Sequence, residues 1–223
     1  MHLPGGFVRQ YSLCNHPEHD DRYQIAVLRD ADGRGGSRAI HDAVRQGDTV
    51  RIGVPRNQFP LAPDAPHHLL LAGGIGVTPI LSMAERLFSS GMPFDMHYCA
   101  RSTDRMAFVE RINAAGFHDR TRFHVDDGDP AQRFDLAAVL AAMPEGTHLY
   151  VCGPRGFMDA VLNAARARHW LKRGCTTSSS AAPSRRPART VRSRSGSRAA
   201  ARSSTCRPNA RSSRRWRRTA STC

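Results

Sequence analysis

The chain changes texture twice along its length. Up to about Leu61 the apolar residues fall in short β-rich runs, at Phe7 to Leu13, Tyr23 to Leu28 and Thr49 to Val54. In the second run Tyr23, Ile25 and Val27 alternate with polar or small residues, the period of a half-buried strand. Between the runs the pattern turns helical, with Ile40 and Val44 one turn apart. A helix is expected from Ser37, whose hydroxyl can cap the first amides, to about Gly47. Strands with one capped helix suggest part of an antiparallel barrel, taken as residues 1–62.

From about His67 the pattern becomes a repeat. Apolar strands are predicted at His68 to Ala72, Phe94 to Ala100, Thr121 to Val125 and His148 to Cys152. Helices are predicted at Pro79 to Ser89, Met106 to Ala115, Asp135 to Ala142 and Phe157 to His169. Strand followed by helix, repeated, builds a doubly wound parallel sheet. Right-handed crossovers then leave the ligand crevice at the carboxyl ends of its strands. This α/β domain is assigned to residues 63–170.

Residues 171–223 have no apolar periodicity and are rich in Arg, Ser, Ala and Pro, so they cannot build a core and are expected to form a disordered basic tail. Charge sharpens this division. The net charge is +14, with 33 basic and 19 acidic residues, but 15 basic residues and no acid lie in 171–223, leaving the rest at about −1. A GC-rich gene read out of frame yields such a composition, and a frameshift is the preferred reading. The competing one is an arginine-rich arm that neutralises nucleic-acid phosphates.

Residues 1–13 carry no apolar leader, and the longest apolar stretch, Leu69 to Leu81, is short and rich in glycine, so a cytoplasmic chain without a membrane partner is expected. The six cysteines lack paired or C-x-x-C spacing, which argues against a disulfide framework and a zinc site. No metal ligand set is assigned.

Four motifs carry candidate chemistry. In Leu69 to Pro79 a buried strand runs into Gly73-Gly74-Ile75-Gly76-Val77-Thr78-Pro79, where glycines admit close approach of a pyrophosphate and Thr78 is expected to cap the following helix. A plain βα turn would read the same way. Tyr150 to Met158 ends another strand and brings Cys152, Gly153 and Pro154 to the same sheet edge. Cys152 by itself is as readily a small buried hydrophobe as a functional thiol. In Arg9-Gln10-Tyr11-Ser12-Leu13, alternation places Arg9, Tyr11 and Leu13 on one face, either a phosphate and ring site or a solvent-facing arginine beside a core tyrosine. Finally, Gly35-Gly36-Ser37 opens the helix where exposed amides can meet an anion, with Arg9 as counter-charge.

In this order and spacing, R-x-Y-S-L, G-G-S, G-G-I-G-V-T-P and C-G-P resemble the ferredoxin-reductase-like superfamily, in particular the phthalate dioxygenase reductase and vanillate demethylase reductase family. The resemblance covers residues 1–170. It implies that Arg9, Gln10, Tyr11 and Ser12, with Ala26, Val27 and Leu28, hold FMN, and that Gly35, Gly36 and Ser37 take its phosphate. It further implies that NAD(P)H lies along Gly73, Gly74, Gly76 and Thr78, that Cys152, Gly153 and Pro154 lie near the nicotinamide, and that Arg101 and Ser102 meet the adenosine ribose. Ser12, Thr78 and Cys152 are the catalytic candidates, and residues 1–62 and 63–170 become the FMN- and NAD(P)-binding domains.

By the same resemblance the activity is hydride transfer from NAD(P)H to flavin and onward electron transfer to a [2Fe–2S] centre serving a terminal oxygenase. Relatives of this kind begin about fifty residues earlier and end in a ferredoxin domain with C-x₄-C-x₂-C, a spacing absent here. The chain is therefore expected to be truncated at both ends, with cluster ligands missing. An FAD-dependent ferredoxin–NADP reductase shares the same motifs, and neither FMN over FAD nor NADH over NADPH is decided by the sequence.

Overall fold

The computed structural model describes residues 1–18, 21–168, 170, 175–177, 188–196 and 201–207. The chain divides into two units, Met1–Pro60 with Ser179–Cys223, and Leu61–Ser178.

The second unit is built on a five-stranded parallel sheet. Its strands are β3 (His68–Gly73), β4 (Phe94–Ala100), β5 (Thr121–Val125), β6 (His148–Cys152) and β7 (Cys175–Thr177), in the spatial order β5-β4-β3-β6-β7. Every residue of β3 is buried, as a central strand covered on both faces requires. The pleat sends Leu69 and Leu71 to one face, where they join Leu149 and Val151 beneath α4 (Leu136–Ala142) and α5 (Arg155–Ala167). Each such leucine contributes about 1.5–3 kcal/mol by leaving water. Helix α2 (Val77–Ser89), with Val77, Ile80, Leu81, Ala84 and Leu87 buried, packs on β3, β4 and β6.

The four predicted strands of this unit appear within one residue of their expected ends, and β7 adds a fifth from beyond residue 170. Helix α3 (Val109–Asn113) is shorter than expected, because Phe108 at φ 65° turns the chain before it and the Ala107 amide donates instead to the Tyr98 hydroxyl. Asp135 caps α4 by accepting from the Ala138 amide. One polar side chain stands out in the core. His68 is 1% exposed, neither ring nitrogen has a hydrogen-bond partner among the described residues, and burial together with neighbouring His148 and His67 pushes its pKa down to about 4.

The first unit carries β1 (Tyr23–Leu28), α1 (Gly36–Ala43) and β2 (Thr49–Gly53). Leu3, Ile25, Val27 and Ile40 form its small core, with Phe7, Tyr11 and Leu13 packed against them. The expected strand Phe7 to Leu13 is reduced to one bridge, His2 to Val8, because this segment bonds back to residues 1–3 through short turns and through the Cys14 amide to the Gln24 carbonyl.

Besides β7, two further stretches of the basic tail depart from the expected disorder. β8 (Ala188–Gly196) and β9 (Ala201–Arg207) form an antiparallel pair that fills the position between β2 and β1, giving the sheet order β1-β9-β8-β2. A strand edge offers main-chain donors and acceptors that any extended segment can satisfy, whatever its side chains. The remaining tail positions on which disorder was expected lie outside the described residues. Among the described residues no helix is long and apolar enough to cross a membrane.

Candidate functional site

In the second unit, two turns meet at the carboxyl edge of the sheet. β3 ends at Gly73, a 3-10 turn spans Gly74–Gly76, and α2 begins at Val77. β6 ends at Cys152, and Gly153 and Pro154 lead into α5. The turns touch backbone to backbone. A Cβ on Gly76 would overlap the Cys152 carbonyl and lie 2.6 Å from the Gly153 nitrogen, and one on Gly153 would lie 2.9 Å from the Gly73 Cα. Phe157 of α5 fills the space below, 2.9 Å from a Cβ on Gly73 and 3.0 Å from one on Gly153. Three of the four expected ligand glycines are thus required by the packing of one turn on the other. Gly74 differs, since it lies at φ 52° with open space beside it.

Thr78 is buried in the first turn of α2 but does not cap it. Gly76 occupies the cap position, and the Thr78 hydroxyl donates to the Ile75 carbonyl at 3.2 Å. The hydroxyl pins the 3-10 turn, whose tight geometry has moved the helix start two residues earlier than a threonine cap would allow. The amides of this turn and the α2 dipole are suited to an anion. Arg101 and Ser102 lie just past β4 at the same edge, Arg101 exposed and Ser102 half-buried. Burial and the Asp126 carboxylate push the Cys99 thiol up to about 12, so it is no nucleophile at neutral pH.

In the first unit, the side chain of Arg9 lies across the start of α1. A Cβ on Gly36 would fall 2.6 Å from Arg9 Cγ and 2.7 Å from its Nε, while the guanidinium donates to the Arg34 and Val8 carbonyls at 2.7 and 2.9 Å and stands over the Phe7 ring. Gly35, at φ 78°, occupies the cap position with Phe7 above it. Arg9 and the glycine pair are therefore brought together as expected. The first amides of α1, which helix geometry leaves without intrahelical acceptors, point out of the same end.

Ser37 neither starts nor caps α1. Its Oγ accepts from the Asp30 amide at 3.2 Å and so ties down the preceding loop, while Gly35 takes the left-handed cap conformation. Tyr11 is partly buried, packed with Leu13 against the unit's core, and burial raises its pKa. Gln10 is exposed and Ser12 half-buried. In β1, Ala26 and Val27 are buried, Leu28 is exposed, and the Val27 carbonyl already lies 2.7 Å from His41 Nε2. Sequence reasoning missed His41, Phe7 and Phe157. Only Phe157 had a sequence signal, its place one turn into the helix that follows C-G-P.

The residues present suit a phosphate at Arg9 and α1 and a dinucleotide at the glycine turns. The described side chains offer no iron–sulfur ligand set: among them no three His, Cys, Asp or Glu converge on a metal position, and Cys14 lies in the loop before β1 while Cys99, Cys152 and Cys175 lie on β4, β6 and β7.

Residues 54–174 match the family described as dimethylamine monooxygenase subunit DmmA-like, N-terminal domain. The chain belongs to this family. Individual proteins extend the DmmA-like assignment. The chain is 54% identical over 170 residues to a vanillate O-demethylase oxidoreductase of Pseudomonas sp. (strain HR199 / DSM 7063), covering 76% of this chain and 54% of that one. It is 40% identical over 169 residues to the phthalate dioxygenase reductase of Burkholderia cepacia, covering 75% and 52%. A solved phthalate dioxygenase reductase, described as a modular structure for electron transfer from pyridine nucleotides to [2Fe–2S], superposes with a TM-score of 0.73 at 38% identity, over 79% of this chain and 55% of that one. The fold of this DmmA-like chain is thus the ferredoxin-reductase-like one. It spans about half the length of the curated relatives it matches.

Proposed function

We propose that this chain contributes the flavin- and pyridine-nucleotide-binding part of an oxygenase reductase. The observation that carries this reading is the backbone-to-backbone joining of the Gly73–Gly76 and Cys152–Pro154 turns at one sheet edge, beside a helix start suited to pyrophosphate. Its support from outside is the naming of relatives as oxidoreductase or reductase subunits.

When bound, NAD(P)H would supply hydride and the flavin would carry the electrons onward, toward the terminal oxygenase component that this reading implies as partner. The chain's own residues bind and orient. Arg9 and the first amides of α1, with Gly35, Gly36 and Ser37, hold the flavin phosphate, and Gln10, Tyr11, Ser12, Ala26, Val27 and Leu28 surround the flavin. Gly73, Gly74, Gly76 and Thr78 shape the turn for the nucleotide phosphates. Cys152, Gly153 and Pro154 border the nicotinamide, and Arg101 and Ser102 meet the adenosine ribose. FMN is the proposed flavin, with FAD the alternative, and the proposed location is the cytoplasm.

The test is anaerobic titration of the purified chain, supplied with FMN or FAD, with NADH and then NADPH while following flavin absorbance. Bleaching is expected, and the more effective flavin and nucleotide identify the pair. A chain that binds neither flavin nor nucleotide would overturn the reading.

A further inference from the structure

Beneath the glycine turns, aromatic rings run without interruption to the far strand of the parallel sheet. Phe157, packed under Gly73 and Gly153, is 6.3 Å by ring centroids from Phe134. Phe134 in turn lies 5.6 Å from His97 of β4 and 5.0 Å from His124 of β5. The two histidine rings stack at 14° and 5.2 Å, with His97 Nδ1 2.9 Å from His124 Nε2. His124 Nδ1 is 2.9 Å from the Gln132 carbonyl.

The tautomers follow from these partners. A carbonyl only accepts, so His124 donates from Nδ1 and its Nε2 carries the lone pair, which accepts from His97 Nδ1–H. His124 thereby fastens the segment 126–133, whose Asp126 and Asp127 amides donate to the Ala100 and Arg101 carbonyls at 3.1 and 3.2 Å, and in which Gly128 packs on Val125. One end of the row therefore holds the loop beside Arg101, and the other supports the Gly73–Gly153 junction.

We propose that His97, His124, Phe134 and Phe157 form a proton-sensitive positioning unit for nucleotide binding, in which protonation of the histidine pair releases the 126–133 loop and loosens the turns above Phe157. The nucleotide part of this inference rests on the proposed function. A single added proton is shared, because neutral His97 can carry its own proton on Nε2 and accept at Nδ1; once both rings are charged, two N–H donors face each other, the pair separates, and His124 takes with it the Gln132 carbonyl it still holds. The groups facing the pair are Asp95 on β4, which favours the charged form of His97, and Arg122 on β5, which disfavours the charged form of both. The neutral aromatic Phe134 closes the pair from the segment before α4. Burial is the first cause holding both rings neutral.

The test begins without nucleotide. Hydrogen-exchange protection factors of the Asp126 and Asp127 amides, corrected for intrinsic rates, are measured on the full chain between pH 7.5 and 4.5. The wild type is expected to lose protection about tenfold across this range. The double variant His97→Gln/His124→Gln, which keeps amide donors but takes up no proton, is expected to give a flat profile. A flat wild type, or an equal loss in the double variant, overturns the proposal.

NADH affinity is then measured over the same range. The wild-type Kd is expected to rise roughly fivefold to tenfold on acidification, with no rise in the double variant, and Phe157→Leu is expected to weaken binding at every pH. Wild-type affinity in Phe157→Leu would remove the turns from the unit. Failure of NADH to bind at any pH counts against the proposed function, whereas the exchange profile judges the histidine pair independently.

Discussion

β3 and β1 are both six-residue strands, yet they are stabilised differently. All six residues of β3 are buried between neighbours β4 and β6. In β1 only Ile25, Ala26 and Val27 are buried, and its neighbour in the sheet is β9, drawn from residues 201–207. The parallel unit is specified by side chains, because the apolar run of its central strand β3 fits a site between two helical layers. The pairing of the antiparallel sheet depends more on main-chain bonding, which tolerates almost any extended partner.

The sharpest way to break this contrast is Leu71→Ala. It should cost about 2–5 kcal/mol, read as a denaturation midpoint, because the closely covered core cannot collapse onto the cavity. Val50→Ala in β2 should cost clearly less, and equal losses would mean that the smaller unit is as tightly specified as the larger. Next, Gly76→Ala should cost about 3 kcal/mol or more and abolish the proposed nucleotide binding with it, since the added methyl meets backbone that has no rotamer with which to yield.

Acid should act mainly on the parallel unit. Folding holds His68 and His97 at about 4, below the unfolded value of 6.5. Between these values the unfolded chain binds more protons, so their contribution is fully present above pH 6.5 and is lost as pH falls toward 4. Urea midpoints measured from pH 7.5 to 4 should fall accordingly, and His68→Leu should flatten the curve. The smallest expected effect is that of Ser37→Ala in the first unit, roughly 0.5–1.5 kcal/mol for one lost hydrogen bond to the Asp30 loop.

The same contrast explains what could be read in advance. The strands at 68 and 148 announce themselves because a buried central strand reads as an apolar run, whereas those at 94 and 121 show as alternation, with Asp95, His97, Arg122 and His124 between their apolar or small positions. Phe7 to Leu13 has β-rich composition, yet among the described residues it pairs only through the His2–Val8 bridge, a fact that no local pattern encodes. Thr78 and Ser37 are chemically fit to cap, yet in both cases a glycine in a tight turn fixes the helix start first. Arg9 over Gly36 followed from motif order, whereas the meeting of His97 with His124 and of Phe157 with two glycines depends on strand register and helix docking, which emerge only on folding.

Gly76 against the Cys152 carbonyl has a meaning for descent. A glycine retained because a ligand needs room is free to drift once the ligand is abandoned. A glycine retained because a neighbouring carbonyl occupies its side-chain volume stays under selection for as long as the protein folds. The paired turns should therefore outlast any ligand they serve, so that a copy with no remaining binding duty would still display them as a record of ancestry.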